Sequence, residues 1–325
     1  MPKERSHLLV AGEILEQLNN QPLQQIINRH ASAYYLGAIA PDLKSYDVFD
    51  RAEFPFVADF IHNQVETKNS GLLFKMLSKL KPGSSHSEEI MVFILGYITH
   101  AVSDAVFHPL IFYFTGNLYD PDPQQRAHSL ASHCYFETVL EVALFRSAGK
   151  DLNDFSPARL CQTTPARQRG IFRYFSSILA EECGENEETL YRGMNDSFSI
   201  FLKLTRWFTQ PFFYYLARVV NLLTLGQWQK YIGVFHPPGK QVIDPLFTTR
   251  IEFKHPFTGE NIITSVQSLN EKAIKIGASC LNAAYEVYSG KLSLEKLQSL
   301  LGSKNMNTGT HLPANYLKHC SAARF

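Results

Sequence analysis

The chain has 325 residues, enough for one large domain or two ordinary ones, and its 45% hydrophobic and 19% charged residues exclude a disordered polypeptide. Its 31 Lys and Arg stand against 30 Asp and Glu, so nucleic acid is not expected as an obligate partner. The residues from Met1 to His7 lead into a short apolar run, Leu8 to Gly12, that stops at Glu13 and makes no signal-peptide core. Cys134, Cys161, Cys183, Cys280 and Cys320 are scattered with no CxxC, which fits reduced thiols; a cytoplasmic location is the expectation.

In chain order, Leu8, Ala11, Ile14, Leu15 and Leu18 recur at helical spacing and predict a helix from Ser6 or His7 to Leu18. A short helix follows from Pro22 to Ile27, and the apolar run from Tyr34 ends at the turn signal Pro41-Asp42. Phe54 to Leu80 reads as helix broken near Asn69-Ser70-Gly71. Ser87, before Glu88 and Glu89, reads as the N-cap of a long apolar helix reaching about Phe114 that belongs in the interior. Asn117 to Pro123 is a loop, and Arg126 to Ser147 a second helix. Pro165–Glu182, Asn186–Thr209 and Pro211–Tyr231 are predicted helices. The stretch Trp207–Trp228 is apolar, but Gln210, Pro211, Arg218 and Asn221 interrupt it, so it is not expected to span a bilayer. Gly233–Gly259 holds four prolines and reads as a long irregular loop. Thr264–Ser289 and Ser293–Gly302 return to helix. The fold class expected is all-α, with no strand pattern: a helical domain over 1–232, the loop and C-terminal helices of 233–302 packed on it, and a flexible tail over 303–325.

Histidine is unevenly used. Eight of the 12 precede residue 134, and neutral imidazole is the commonest transition-metal ligand. In the long helix His100, Asp104 and His108 stand four apart. Each step rotates about 40°, so all three share one side over roughly 12 Å of axis. Gly96, one step earlier, leaves room for another backbone. His133 and Glu137 repeat the spacing in the next helix. A single such pair is more often a hydrogen-bonded core pair or a surface pair than a metal site. Two pairs on successive helices, with a third His on the same face, shift the balance toward metal, and His7, Asp42 and His62 extend the set. Spacing alone leaves both readings open.

The runs Ser6-His7-Leu8-Leu9-Val10-Ala11, Tyr35-Leu36-Gly37-Ala38-Ile39-Ala40-Pro41-Asp42, His62, Gly96-Tyr97-Ile98-Thr99-His100 with Asp104, His108-Pro109 and His133 with Glu137 resemble the zinc-dependent phospholipase C family. The order of ligand types, His, Asp, His, His-xxx-Asp, His, His-xxx-Glu, matches. The resemblance implies an all-helical domain with two or three zinc ions in a cleft. Asp42, His62, His100 and Asp104 would hold one ion, and His108, His133 and Glu137 a second. His7, with the second oxygen of Asp104, would contribute to a third. In family terms Asp42 is also the catalytic candidate that orients or deprotonates the attacking water. Secreted members complete the third site with a processed N-terminal Trp, which this chain lacks.

Other groups rank lower. His30, His86, His128, His311 and His319 are read as non-ligands, with His128 the alternative to His108; Asp47, Asp50 and Asp59 are alternatives to Asp42. Glu141 is placed on a solvated helix face rather than behind a ligand. The aromatic segment from Trp207 to Trp228 is read as core packing rather than a lipid-facing surface, and the Pro-rich loop as a cover that shapes substrate choice. The leading expectation is a zinc-dependent phosphodiesterase acting on a phospholipid or small phosphate ester, with transient membrane-surface contact. The alternatives are a soluble phosphomonoesterase or nuclease-like enzyme on the same site, or a metal-stabilised helical binding module. No His-Asp dipeptide and no His-Glu-xx-His occurs, which sets aside HD-type phosphohydrolases and zincin proteases. Oligomeric state is left open.

Overall fold

The computed structural model describes residues 3–46, 57–64, 71–84, 86–226, 228–238, 247, 250–302, 304–312 and 314–320. It is all-α apart from one short hairpin. The apolar run after His86 forms a 29-residue helix, α6 (Ser87–Thr115), which the rest of the chain surrounds. Among the described residues it is the helix long and apolar enough to cross a membrane, but 89% of that window is buried within the protein, as a core helix requires. Each fully buried Phe, Ile or Leu on it contributes about 1.5–3 kcal/mol of burial.

Among the described residues five α-helices precede it, the first four being α1 (Glu4–Gln17), α2 (Gln21–Arg29), α3 (Ala31–Ile39) and α4 (Val57–Asn63). A 3-10 segment, Ala40–Tyr46, carries Asp42 out of α3, and α5 spans Leu72–Lys79. The crossing of α3 and α6 is set by two glycines. A Cβ on Gly37 would lie 2.0 Å from the Phe93 carbonyl oxygen, and one on Gly96 would lie 1.9 Å from that of Tyr34. Backbone therefore meets backbone there, the approach that Gly96 foretells.

Helix α7 (Pro123–Ser147) starts earlier than predicted because Asp122 caps it, accepting from the Gln124 N–H, with Pro123 at the first position. After α8 (Pro157–Leu160) come α9 (Pro165–Cys183) and α10 (Glu187–Trp207), each opened by a side-chain cap, Thr164 and Asn186. Gly184, at φ 77°, closes α9 in the left-handed conformation that glycine adopts without penalty. Then follow α11 (Pro211–Leu223), α12 (Gln229–Ile232), α13 (Val266–Tyr288) and α14 (Leu294–Leu301). Helix α13 packs on both α1 and α6.

Several expectations need correction. Ser87 is the first residue of α6 and not its cap; His86 holds that place, and the Ser87 hydroxyl meets the Tyr288 hydroxyl at 3.2 Å. The stretch read wholly as loop contains β1 (Ile251–Lys254), paired antiparallel with β2 (Asn261–Thr264). Ile251 and Phe253 face inward and Glu252 and Lys254 outward. That alternation spans only four residues, too few to register beside four prolines. The predicted helix 211–231 breaks at Thr224, and α11 is not core: Ala217 is its one buried residue. The tail is not loose over residues 305–308, which are buried. The expectations at Asp47, Asp50 and the breaks at Asn69 and Ser70 lie outside the described residues. All five cysteines are free.

Candidate metal centre

Eight side chains from five elements converge beside α6. His7 comes from α1, Asp42 from the 3-10 segment, His62 from α4, His100, Asp104 and His108 from α6, and His133 and Glu137 from α7. All are buried. They form three groups of donor atoms, each within 4.8 Å: His7, Asp42 and His100; His62, His100 and Asp104, which shares His100 with the first; and a separate group of His108, His133 and Glu137.

Asp104 is the hub. Its Oδ2 lies 3.1 Å from His100 Nε2 and 3.3 Å from His62 Nε2, while Oδ1 faces His7 Nε2 at 3.3 Å. Asp42 Oδ1 lies 3.1 Å from His62 Nε2 and 3.6 Å from His100 Nε2. The rings of His7 and His100 stack with centroids 3.9 Å apart. In the last group His133 Nε2 is 2.9 Å from Glu137 Oε1.

Backbone carbonyls set the histidine tautomers. His62 Nδ1 donates to the Ala58 carbonyl at 2.7 Å, His100 Nδ1 to Ala38 at 2.8 Å and His108 Nδ1 to Met306 at 2.8 Å. A carbonyl only accepts, so the proton of each neutral ring sits on Nδ1 and the Nε2 lone pair is left for a cation. His133 Nδ1 meets the Thr115 hydroxyl oxygen at 3.3 Å, and that hydroxyl donates onward to the Ile111 carbonyl. Such outer contacts orient metal-binding imidazoles.

The donor set fits a divalent metal. Both ring nitrogens of His7 and both oxygens of Asp42 and Asp104 are buried without a hydrogen-bond partner, a costly state for polar atoms unless a cation satisfies them. The mix of imidazole nitrogen and carboxylate oxygen is the chemistry that zinc accepts. In the metal-free chain burial works against charge on His62, but its contacts with Asp104 and Asp42 outweigh burial and raise its pKa to about 10. Burial pushes His108 down to about 3, and burial followed by the neighbouring His100 holds His7 well below the usual range. Neutral imidazoles are the form that binds metal.

The chain's own C-terminal segment helps close the site. Pro109 lacks the N–H that would bond to the Ala105 carbonyl inside α6. Gly309 packs there: a Cβ on it would lie 2.3 Å from that carbonyl oxygen. Asn305 Nδ2 donates to the Asn63 carbonyl at 2.8 Å, and the Asn307 N–H donates to that of His62 at 3.4 Å.

A family model described as zinc-dependent phospholipase C matches residues 6–203. The chain belongs to the zinc-dependent phospholipase C family. All eight converging residues fall inside the matched stretch; α11, α12, the hairpin and the Met306 segment fall outside it. Searches of curated proteins and of solved structures returned no match.

The other histidines lie outside this cluster of eight. His30 Nε2 pairs with Glu88 at 2.9 Å, and His86, His128 and His311 are exposed. Asp59, exposed, accepts from the Tyr119 hydroxyl. Glu141 corrects the expectation of a solvated face: it is fully buried, its Oε2 accepts from the Ser6 N–H at 3.0 Å, and its Oε1 accepts from His236 Nε2 at 2.9 Å. It thus holds the first turn of α1 immediately before His7. Its spacing of four from Glu137 was the available signal, but a solvated face has the same spacing. The Ala38, Ala58 and Met306 carbonyls carry no residue-type signal at all.

Proposed function

We propose that this chain is a zinc-dependent hydrolase of phosphate esters that cleaves phosphodiesters in the manner of a phospholipase C. The observation that carries this reading is the ring of buried, unpartnered carboxylate oxygens facing imidazole Nε2 atoms around Asp104. Asp42, His62, His100 and Asp104 would hold one ion, His108, His133 and Glu137 a second, and His7 with Asp104 Oδ1 would contribute to a third. Zinc held there would supply water acidified toward pH 7 and positive charge for the nonbridging phosphate oxygens.

The protein's own residues supply position and charge. The Ala38, Ala58 and Met306 carbonyls fix three imidazoles so that their Nε2 atoms need no reorientation on loading. Asp42 presents two buried carboxylate oxygens to the cluster, Oδ1 3.1 Å from His62 Nε2 and Oδ2 3.7 Å from His7 Nε2. That suits it to accept a proton from an attacking water or to orient that water. The surrounding rings of Phe112, 5.4 Å from His133 and 5.7 Å from His108, keep the second group in an apolar setting where charge interactions strengthen.

The test is metal content together with turnover. Purified chain should carry two or three zinc ions. It should hydrolyse p-nitrophenylphosphorylcholine, a soluble phosphodiester, faster than p-nitrophenyl phosphate. Preference for the monoester would support the phosphomonoesterase alternative, and bound zinc without turnover of either ester would support a metal-stabilised binding module.

A further inference from the structure

Helix α11 is apolar, yet of its 13 residues Ala217 alone is buried. Phe212, Leu222 and Leu223 are 68%, 77% and 77% exposed, and Leu225 in the following turn is 93% exposed. Both tryptophans of the chain, Trp207 and Trp228, flank this row and are themselves exposed, as is Tyr231. The inner side of α11 faces α7 across a cleft of about 880 Å³ between Tyr214, Arg218 and Leu222 on one wall and His128 and Tyr135 on the other. An apolar surface of this extent on one helix marks an interaction site.

The turn itself points outward. Leu225 has φ 52°, and the Gly226 N–H after it donates to the Asn221 carbonyl at 2.8 Å, which closes the helix end. Glycine or asparagine ordinarily takes that left-handed position. Here a leucine takes it and gains no packing within the fold.

Charge says what the face meets. Between Asp196 and Asp244 the sequence has no acidic residue and carries Lys203, Arg206, Arg218, Lys230 and Lys240. An apolar helix face, tryptophan and tyrosine at its rim and cations of one sign around it are the features of a helix that lies in a lipid interface. We propose that α11 and the turn to Trp228 dock the protein on a phospholipid bilayer that contains anionic lipid. Leu222, Leu223 and Leu225 enter the acyl boundary, the two tryptophans sit at headgroup level, and the exposed Lys203, Arg206 and Arg218 face lipid phosphates. A second copy of the chain fits this face less well, because a symmetric pairing would bring cation against cation.

Docking here would bear on the metal centre through α7. Gly233, at the end of α12, lies so close to α7 that a Cβ on it would be 2.8 Å from the Tyr135 nitrogen, two residues from His133. The inference accords with the phospholipid reading but stands on residues that the family match does not include, and it survives if that reading fails.

The experiment is co-sedimentation of zinc-loaded protein with phosphatidylcholine vesicles, with and without phosphatidylserine, followed in parallel by tryptophan emission. The wild type should bind the phosphatidylserine vesicles more tightly, with a blue shift from Trp207 and Trp228. Leu222→Ser/Leu223→Ser should weaken binding by roughly tenfold or more. Leu225→Asn, which suits the left-handed turn, should also weaken it while leaving thermal stability equal or higher. Both variants should keep wild-type turnover of p-nitrophenylphosphorylcholine. No vesicle binding by the wild type, or binding unchanged in both variants, overturns the proposal. So does wild-type self-association in sedimentation equilibrium that the variants abolish, because it assigns the face to a second copy. Failure of the phosphodiesterase reading would appear separately, as absent turnover of the soluble ester with vesicle binding intact.

Discussion

Asp104 Oδ1 lies 3.3 Å from His7 Nε2, across the packing of α1 on α6, while its second oxygen faces His62 and His100. One carboxylate thus joins the donors of three elements. Burial alone would raise its pKa, yet His108, His100 and His7 hold it well below the usual range, so it stays ionised. Asp104→Asn keeps the shape and removes the charge that two groups share. Zinc per chain, read by mass spectrometry, should fall by at least one ion, with phosphodiester turnover down at least about 10²-fold. Retention of wild-type zinc content and rate would overturn the role of Asp104 as hub.

The α3–α6 crossing couples packing to the site, because the Ala38 carbonyl that orients His100 lies one residue beyond Gly37. Gly96→Ala would place a methyl group 1.9 Å from the Tyr34 carbonyl oxygen and 2.9 Å from the Ala38 nitrogen. Backbone cannot yield as a side chain does, so a loss of about 1–3 kcal/mol in urea unfolding is expected, together with reduced zinc retention. Gly170→Ala, in α9 with nothing near the added methyl group, is the control and should be neutral or slightly stabilising.

Helical periodicity made the α6 face legible: residues four apart must share a side, and His100, Asp104 and His108 do. What lay beyond periodicity was not legible. The acceptors for His62, His100 and His108 are main-chain carbonyls, which every residue type possesses. Glu141 has the spacing of a solvated face and became buried only because Ser6 and His236 arrive from distant parts of the chain. The apolar residues of α11 look like core in sequence, since hydrophobicity does not say whether protein or another phase will cover them. Residues 305–308 are mostly polar and read as tail; their burial comes with contacts to the distant Asn63 and His62 carbonyls.

The buried pair Glu141–His236 makes an acid-sensitive joint behind the first turn of α1. Burial, then the positive charge of Lys3, keeps the His236 pKa below the usual 6.5. Burial opposes ionisation of Glu141, but the His236 hydrogen bond leads the effects that lower it below the usual 4.5. In both cases the unfolded chain binds the proton first as pH falls. Stability should therefore decline below about pH 6.5, by up to about 1.4 kcal/mol per pH unit for each proton taken up. His236→Asn should lower stability at neutral pH and flatten the acid slope between pH 6.5 and 4.5; an unchanged slope in chemical unfolding would rule this joint out.

The C-terminal segment offers the sharpest separation of the metal groups. His108 Nδ1 has the Met306 carbonyl as its acceptor, and Gly309, at φ 62°, seats that segment on α6 where Pro109 opens the hydrogen-bond ladder. An added Cβ at Gly309 would meet backbone at 2.3 Å. Gly309→Ala should thus lift the segment and free the His108 ring. The group of His108, His133 and Glu137 should lose its ion while that of His62, His100 and Asp104, oriented by the Ala58 and Ala38 carbonyls, keeps its own. Gly302→Ala shares a positive φ, but the added methyl would meet only the Lys304 side chain. It should lose about 1 kcal/mol and no zinc. Zinc titration with a chromogenic chelator reads both. Equal zinc release from the two variants would show that backbone strain rather than the Met306 contact is responsible.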